Sequence, residues 1–379
     1  MDFTLNNEQK AICRSIRDLC NDAFNDDVMD DDNHGSFSKY KWLLCGDVGI
    51  QGLVIPDEYD GSGYDMLTTA LSIESLGQYC KDEGLIFSLC ANICTCIIPL
   101  CQFGTQNQKD TYLPGLASGR LIGGNGITEE NAGSDSSAIQ TDVTKNGDGF
   151  VINGTKLFVT NAPVADLLLI YAKHPGGMKM ADTSCFVIDT QNPGIMNGQT
   201  FQKMGLRTSP LSEVVLKNCT VGTEDLLGRE RFGMMVFNHS MMWERIIMGA
   251  YHVGAMEQQY QMVLSHANTR SQFGRSIKKF SGVSDKLVDM KMRIDSARLM
   301  LYHTCWKYDQ SKADLSDASM IKLMTSEAKV KNSLSALQVF GAYGYMTDSH
   351  VQKQVRDSLA ATLYSGTSEM QKKIIGEHL

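Results

Sequence analysis

A polar loop at residues 127–135 lies between two apolar segments and carries groups that could bind a ligand. Thr128 and Ser134 offer hydroxyl groups, and Gly133 lets the main chain come close to a ligand because it has no Cβ. A capped surface turn has the same composition. The loop therefore indicates a binding site only if other segments support it.

The pair Glu244-Arg245 also points to chemistry, because its neighbours are the apolar residues Met241, Met242, Trp243, Ile246, Ile247 and Met248. A carboxylate in such surroundings is costly unless it is paired or functional, and loss of solvent raises its pKa toward neutrality. A carboxyl of that kind suits a general base, which must hold the proton that it takes. The alternative is that Glu244 pairs with a neighbour on its own helix.

Three regions of different pattern must position these residues. Residues 1–120 have apolar positions near a 3.6-residue period, which predicts helices. Residues 121–230 show short strand-like segments separated by Gly, Asn and Pro, with Asn153-Gly154 expected as a hairpin turn, so a small barrel or sandwich is predicted. Residues 231–379 contain no proline and carry four long amphipathic patterns, typical of a helical bundle, at 233–269, 281–308, 315–341 and 349–361.

Composition excludes several classes of protein. The chain has 379 residues, 42% hydrophobic and 21% charged, which is ordinary for a globular protein. A net charge of -8 argues against bulk nucleic-acid binding. We expect no membrane span, since no apolar run approaches about 18 residues, and residues 1–9 lack an export signal. A cytoplasmic protein is predicted.

The eleven cysteines are predicted to be buried thiols in a reducing compartment. Several lie in an apolar, helix-like stretch. Cys94-Thr95-Cys96 lacks a matching second pair of ligands, so we expect no metal site.

The order of helices, strands and bundle resembles the acyl-CoA dehydrogenase superfamily over nearly the whole chain. The resemblance implies an α+β fold with an N-terminal helical domain at 1–120, a middle β domain at 121–230 and a C-terminal four-helix bundle at 231–379. Five ordered motifs carry it: residues 127–135, Leu157-Phe158-Val159-Thr160-Asn161, Thr269-Arg270-Ser271-Gln272-Phe273-Gly274, Gln338-Val339-Phe340-Gly341-Ala342 and Tyr364-Ser365-Gly366-Thr367-Ser368-Glu369.

The same resemblance implies FAD as the cofactor. Arg270 offers a permanent charge with several donors for the pyrophosphate of a neighbouring subunit's FAD. Phe158 offers a flat ring beside the flavin, and the hydroxyls of Thr128 and Thr160 can donate to the flavin ring. The residues expected to contact FAD are Ile127, Thr128, Gly133, Ser134, Phe158, Thr160, Arg270, Gln272, Phe273, Gln338, Gly341, Thr367 and Glu369. The family often has Gln where Ser281 and Ser284 stand and Gly where Ala342 stands, and these departures concern the contacts with the adenosine of FAD.

Family members remove a proton α to a thioester carbonyl, and many use a Glu in the C-terminal loop as the base. That position is Ser365 here, and a neutral hydroxyl is too weak a base. A subset that includes isovaleryl-type enzymes carries the Glu on a bundle helix, which implies Glu244 as the catalytic base and the Ser365 main-chain N–H as a donor to the carbonyl. Glu369 is the competing base.

The acyl group is a separate question. Arg245, Trp243 and Ser134 are expected to contact substrate, and Trp243 with its methionine neighbours favours a short or cyclic acyl group unless these residues face the bundle core. The chain is also similar to prolyl-carrier-protein dehydrogenases and oxidases, which act on proline tethered to a phosphopantetheine arm and yield a pyrroline or pyrrole.

Two other activities stay open. A short- or branched-chain acyl-CoA dehydrogenase would use a CoA ester, and a flavin monooxygenase of the same fold would need no carboxylate base. The resemblance also implies a homo-oligomer, at least a dimer and by the family a tetramer, because the Arg270 turn serves a neighbour's cofactor.

Overall fold

The first part of the chain is helical in the computed structural model, which describes residues 4–176 and 182–379. Residues 1–3 of the stretch 1–9, which we expect not to be an export signal, lie outside the described residues. Asn6 caps the first helix through a hydrogen bond from the Gln9 main-chain N–H. The helices are α1 (Asn7–Leu19), α2 (Val28–His34), α3 (Lys39–Asp47), α4 (Met66–Tyr79), α5 (Glu83–Asn92), α6 (Ile98–Phe103) and α7 (Gln106–Ala117).

Helices α5 and α6 are joined by a π-helical turn, Ile93–Ile97, into one apolar segment, Glu83–Phe103. This segment has 21 residues and a mean hydropathy of 2.1, so our expectation that no apolar run approaches a membrane span in length is wrong. In this structure 89% of its most apolar window is buried inside the protein, as in a core helix. The eleven cysteines are free thiols, and all except Cys13 and Cys101 are buried.

The middle region forms one mixed sheet of eight strands within the described residues, where a barrel or sandwich was predicted. Its strands are β1 (Gly123–Gly126), β2 (Asp142–Asn146), β3 (Gly149–Thr160), β4 (Leu167–Lys173), β5 (Thr183–Asp189), β6 (Ile195–Thr200), β7 (Leu211–Val221) and β8 (Leu226–Leu227). They lie in the order β6-β7-β3-β2-β4-β5-β8, with β1 parallel to β4.

The predicted turn at Asn153-Gly154 is wrong, because both residues lie inside the twelve-residue strand β3. The register against β7 shifts between Ile152 and Gly154, and Gly154 has φ +155°. Glycine is needed there because an added Cβ would lie 2.4 Å from the Thr141 hydroxyl. The hairpin turn comes earlier, at Gly147, between paired ends of β2 and β3.

The C-terminal region is helical, as predicted. Its longest helix packs against α4 and against the two helices that follow it, so it lies at the centre of the molecule. A short exposed hairpin separates the first two helices of this region. The elements are α8 (Gly233–Thr269), β9 (Ser271–Gln272), β10 (Arg275–Ser276), α9 (Ser281–Asp309), α10 (Leu315–Phe340), α11 (Ala342–Tyr345), α12 (His350–Ala360) and α13 (Ser368–Gly376).

Candidate active site

Glu244 reaches from the buried middle of α8 to the C-terminal loop. Its side chain is 7% exposed, and the Ser365 hydroxyl donates a 2.8 Å hydrogen bond to its Oε1. Burial raises the pKa of Glu244, while the Ser365 hydroxyl and the charges of Arg245 and Lys322 oppose that shift. Within the described residues Glu244 has no ion pair closer than 4.0 Å, so it is not held by a helix neighbour.

Two buried cations lie near this carboxyl. Arg245 is 8% exposed and contacts the Ser319 hydroxyl at 3.4 Å and the Ser365 carbonyl at 3.5 Å. Lys322 of α10 is fully buried, and its Nζ donates a 2.7 Å hydrogen bond to the Gly366 carbonyl. Burial lowers the pKa of Lys322 to about 8.

Sequence reasoning missed Lys322. The signal was present, because Lys322 stands in the run Met320-Ile321-Lys322-Leu323-Met324, a charged residue among apolar ones. The same pattern identified Glu244.

The loop after α12 is held in an unusual backbone conformation. Ser365 has φ +55° and Gly366 has φ +89°, and a left-handed non-glycine residue such as Ser365 persists only where its surroundings hold it. The Gln371 side-chain amide donates to the carbonyls of Ser365 at 3.0 Å and of Gly366 at 2.8 Å. The Thr367 hydroxyl then caps α13 by accepting from Met370 N at 3.3 Å.

Tyr364 anchors the beginning of the same loop. Its hydroxyl lies 2.6 Å from Nε2 of His252 on α8, and the other ring nitrogen of His252 lies 3.1 Å from the Thr325 hydroxyl on α10. The Tyr364 ring packs against Phe87 of α5 with 4.7 Å between ring centroids. Three helices therefore fix the backbone that carries Ser365.

The sheet residues expected to meet a flavin lie at partly exposed positions. Phe158 is 58% exposed with φ +55°, at an irregularity between Lys156 and Val159 in the pairing of β3 with β7. Regular alternation along a strand would put Phe158 and Thr160 on the same face of the sheet, but this irregularity interrupts the alternation between them. Phe158 and Thr160 are nevertheless both accessible on either side of buried Val159.

A buried ion pair between Lys156 and Glu129 holds the loop at residues 127–135. Lys156 donates to Glu129 at 2.6 Å and to the Ile127 carbonyl at 3.3 Å. Ile127 and Thr128 are half-buried, whereas Gly133 and Ser134 are exposed. Ser134 is thus accessible, as a predicted contact residue must be.

A third group of predicted residues lies at the far end of the bundle. Arg270 follows α8 directly, 26 residues after Glu244, which is about 39 Å along a helix. Its guanidinium lies 5.6 Å from the Tyr343 ring centroid, which joins the hairpin to the turn after α10. This end carries the predicted residues Arg270, Gln272, Phe273, Gln338 and Gly341, all exposed, with Phe273 92% exposed.

Two remaining predicted residues point elsewhere. Trp243 is 8% exposed and packs against Tyr308 of α9 with ring centroids 5.3 Å apart, so it belongs to the bundle core. Its side chain leaves α8 in a different direction from that of Glu244. Glu369, the competing base, is an exposed residue in the first turn of α13.

Comparison with known proteins identifies the family. The acyl-CoA dehydrogenase N-terminal domain matches residues 6–120, the middle domain residues 124–219 and the C-terminal domain residues 232–379. The chain belongs to the acyl-CoA dehydrogenase family. The fold class predicted from the sequence is confirmed.

Within this family the chain is similar to an L-prolyl-[peptidyl-carrier protein] dehydrogenase of Serratia sp., at 36% identity over 379 residues, covering 100% of this chain and 98% of that protein. The solved structure of the prolyl acyl carrier protein oxidase AnaB has a TM-score of 0.97 and 38% identity, covering 99% of each chain. The structure of PigA with FAD and proline has a TM-score of 0.97 and 35% identity, covering 100% of this chain and 99% of that one. These relatives confirm the resemblance drawn from the motifs.

Proposed function

We propose that this chain is an FAD-dependent oxidase or dehydrogenase of L-prolyl-carrier protein. The similar proteins of this family named above act on a prolyl-carrier protein, and the chain spans them nearly end to end. The substrate would be a prolyl thioester on a phosphopantetheine arm, and the product a pyrroline thioester or, after a second oxidation, a pyrrole thioester. A reducing cytoplasm would suit its eleven free thiols.

Glu244 is the proposed base. Its carboxylate takes the proton from the α carbon of the thioester, so the C–H bond breaks, an O–H bond forms and the electron pair moves toward the carbonyl. The Ser365 main-chain N–H, which has no acceptor within the described residues, is free to donate to that carbonyl oxygen. FAD, when bound, accepts the hydride that leaves the substrate.

The residues present fit FAD. Accessible Phe158, packed against Phe201 at 5.0 Å between ring centroids, offers a flat apolar face, and Thr128 and Thr160 offer hydroxyls beside it. Exposed Arg270 offers a fork of donors for a pyrophosphate. Since Arg270 lies about 39 Å along α8 from Glu244, we infer that it serves the FAD of a neighbouring subunit, in a homodimer or tetramer.

The observation that carries the proposal is a buried carboxyl that is hydrogen-bonded to the loop that would hold the thioester and that, among residues 4–176 and 182–379, has no cation within 4.0 Å. The test mixes the purified flavoprotein, without oxygen, with prolyl-carrier protein, free proline or isovaleryl-CoA and follows bleaching of the flavin. Bleaching by prolyl-carrier protein alone is expected. Bleaching by the CoA ester instead would make it a short- or branched-chain acyl-CoA dehydrogenase, and bleaching by none would favour a monooxygenase.

A further inference from the structure

Two buried cations and one buried carboxyl lie beside the loop Tyr364–Thr367. Arg245 and Lys322 are both buried, and Glu244 is the one buried carboxyl that we find beside them within the described residues. None of these three groups forms an ion pair within 4.0 Å in that part of the chain. The half-buried Glu327 and the exposed Glu369 add negative charge from the surface side, but the three buried groups are the ones least screened by solvent, so their charges interact most strongly.

Lys322 contacts the C-terminal loop, and its charge acts on Glu244. Its Nζ holds the Gly366 carbonyl at 2.7 Å and lies 5.8 Å from the centroid of the Tyr364 ring. Each peptide unit is planar, so holding this carbonyl fixes the Gly366–Thr367 peptide, two units after the one that carries the Ser365 N–H. Its charge also acts on Glu244 across the α8–α10 interface.

We propose that Lys322 is a positioning residue of this enzyme, which holds the Ser365–Gly366 turn and keeps Glu244 in its ionised, proton-accepting form. Burying a charged lysine costs several kcal/mol of desolvation free energy unless partners compensate its charge. Here its ammonium group donates to the Gly366 carbonyl, and its charge opposes the rise in the pKa of Glu244 that burial causes. The inference rests on the proposed function, since it concerns the base of that reaction.

The charged and titratable groups around the pair are few. Cys90 and Cys94 approach Glu244 from the α5 side, and burial raises the pKa of both thiols, so they stay neutral at working pH. Tyr364 stays neutral for the same reason, and burial lowers the pKa of His252, which also stays neutral. The remaining charges that act on Lys322 are those of Glu244, Arg245, Glu327 and Glu369.

The test compares Lys322→Met, Lys322→Gln and Lys322→Arg in the FAD-loaded protein. Lys322→Gln keeps an N–H donor near the Gly366 carbonyl but removes the charge, and Lys322→Arg keeps the charge. Lys329→Met is the matched control, because Lys329 is also buried on α10 but pairs with Glu83 rather than acting on Glu244. It reports what removing a buried lysine from this helix does to folding.

Two measurements are made on each variant. The first is the titration of Glu244, followed by the infrared band of the protonated carboxyl as a difference against Glu244→Gln, which needs no substrate. The second is the pH dependence of kcat/KM with prolyl-carrier protein. We expect the Glu244 midpoint to move to higher pH in Lys322→Met and Lys322→Gln, with kcat/KM on the acidic limb reduced roughly tenfold, the effect of losing one nearby opposite charge.

In Lys322→Arg and Lys329→Met the Glu244 midpoint should stay at the wild-type value. A wild-type midpoint in Lys322→Gln would overturn the proposal, as would an equal shift in Lys329→Met. If Lys322→Met does not fold, the comparison of Lys322→Gln with Lys322→Arg still decides. Failure of the proposed function would appear differently, as no bleaching of the wild-type flavin by prolyl-carrier protein.

Discussion

Glu244→Gln is the substitution whose outcome follows most directly from the structure. Glutamine has the same size, and its Oε1 can still accept the Ser365 hydroxyl that lies 2.8 Å from the carboxylate. Packing and the buried hydrogen bond are therefore retained, and only basicity is lost. A positioned general base contributes about 10²–10⁴-fold to a rate. We expect turnover to fall by that factor, or about 2.7–5.4 kcal/mol in the barrier.

The assay is anaerobic single-turnover bleaching of the flavin by prolyl-carrier protein, with FAD content measured on the same sample. Glu244→Asp is the matched control, since it keeps a carboxylate but withdraws it by about 1.5 Å and should give an intermediate rate. Glu369→Gln, on the exposed first turn of α13, should stay within about tenfold of the wild type, as a residue that is not the base. If the Glu244→Gln enzyme bleaches at a near-normal rate with a full complement of FAD, Glu244 is not the base.

Three further outcomes are expected. Ser365→Ala removes a hydrogen bond that lowers the pKa of Glu244, so the acidic limb of the rate profile should move to higher pH; an unchanged limb contradicts this. Arg270→Ala should weaken FAD retention in gel filtration roughly tenfold or more, with helix content by circular dichroism unchanged, and retention at wild-type affinity contradicts it. Gly154→Ala should lower the free energy of unfolding by about 1–3 kcal/mol, since the added Cβ would lie 2.4 Å from the Thr141 hydroxyl. Gly282→Ala is the control and should not lower it, because a Cβ at that position meets nothing within 4 Å. Equal melting temperatures of the two variants would contradict this prediction.

The long elements were predictable because their patterns are periodic and uninterrupted. The segment without proline after residue 231 gave helices with bounds close to the observed ones, since nothing in it stops a helix. The turn predicted at Asn153-Gly154 is wrong because this dipeptide is compatible with a β-bulge as well as with a hairpin turn. The pairing with β7, which the sequence does not show, distinguishes the two. The apolar segment at Glu83–Phe103 was underestimated in length because a few polar residues interrupt it.

The candidate site was predictable where one residue's neighbours in sequence decide its environment. Glu244 stood out for that reason, and the structure buries it. Trp243 is the next residue, yet helix geometry turns it toward Tyr308, which sequence proximity does not reveal. Lys322 acts through a carbonyl more than forty positions away in the chain, so its partner was invisible before the fold was known.

The central claim is that Glu244 takes the proton from the α carbon of a carrier-bound prolyl thioester. The direct measurement uses prolyl-carrier protein deuterated at that carbon, in anaerobic single turnover with the wild type and Glu244→Gln. We expect a primary isotope effect on flavin bleaching in the wild type, and a loss of α deuterium that is slower by about 10²–10⁴-fold with Glu244→Gln. Loss of the deuterium at the wild-type rate in Glu244→Gln would contradict it.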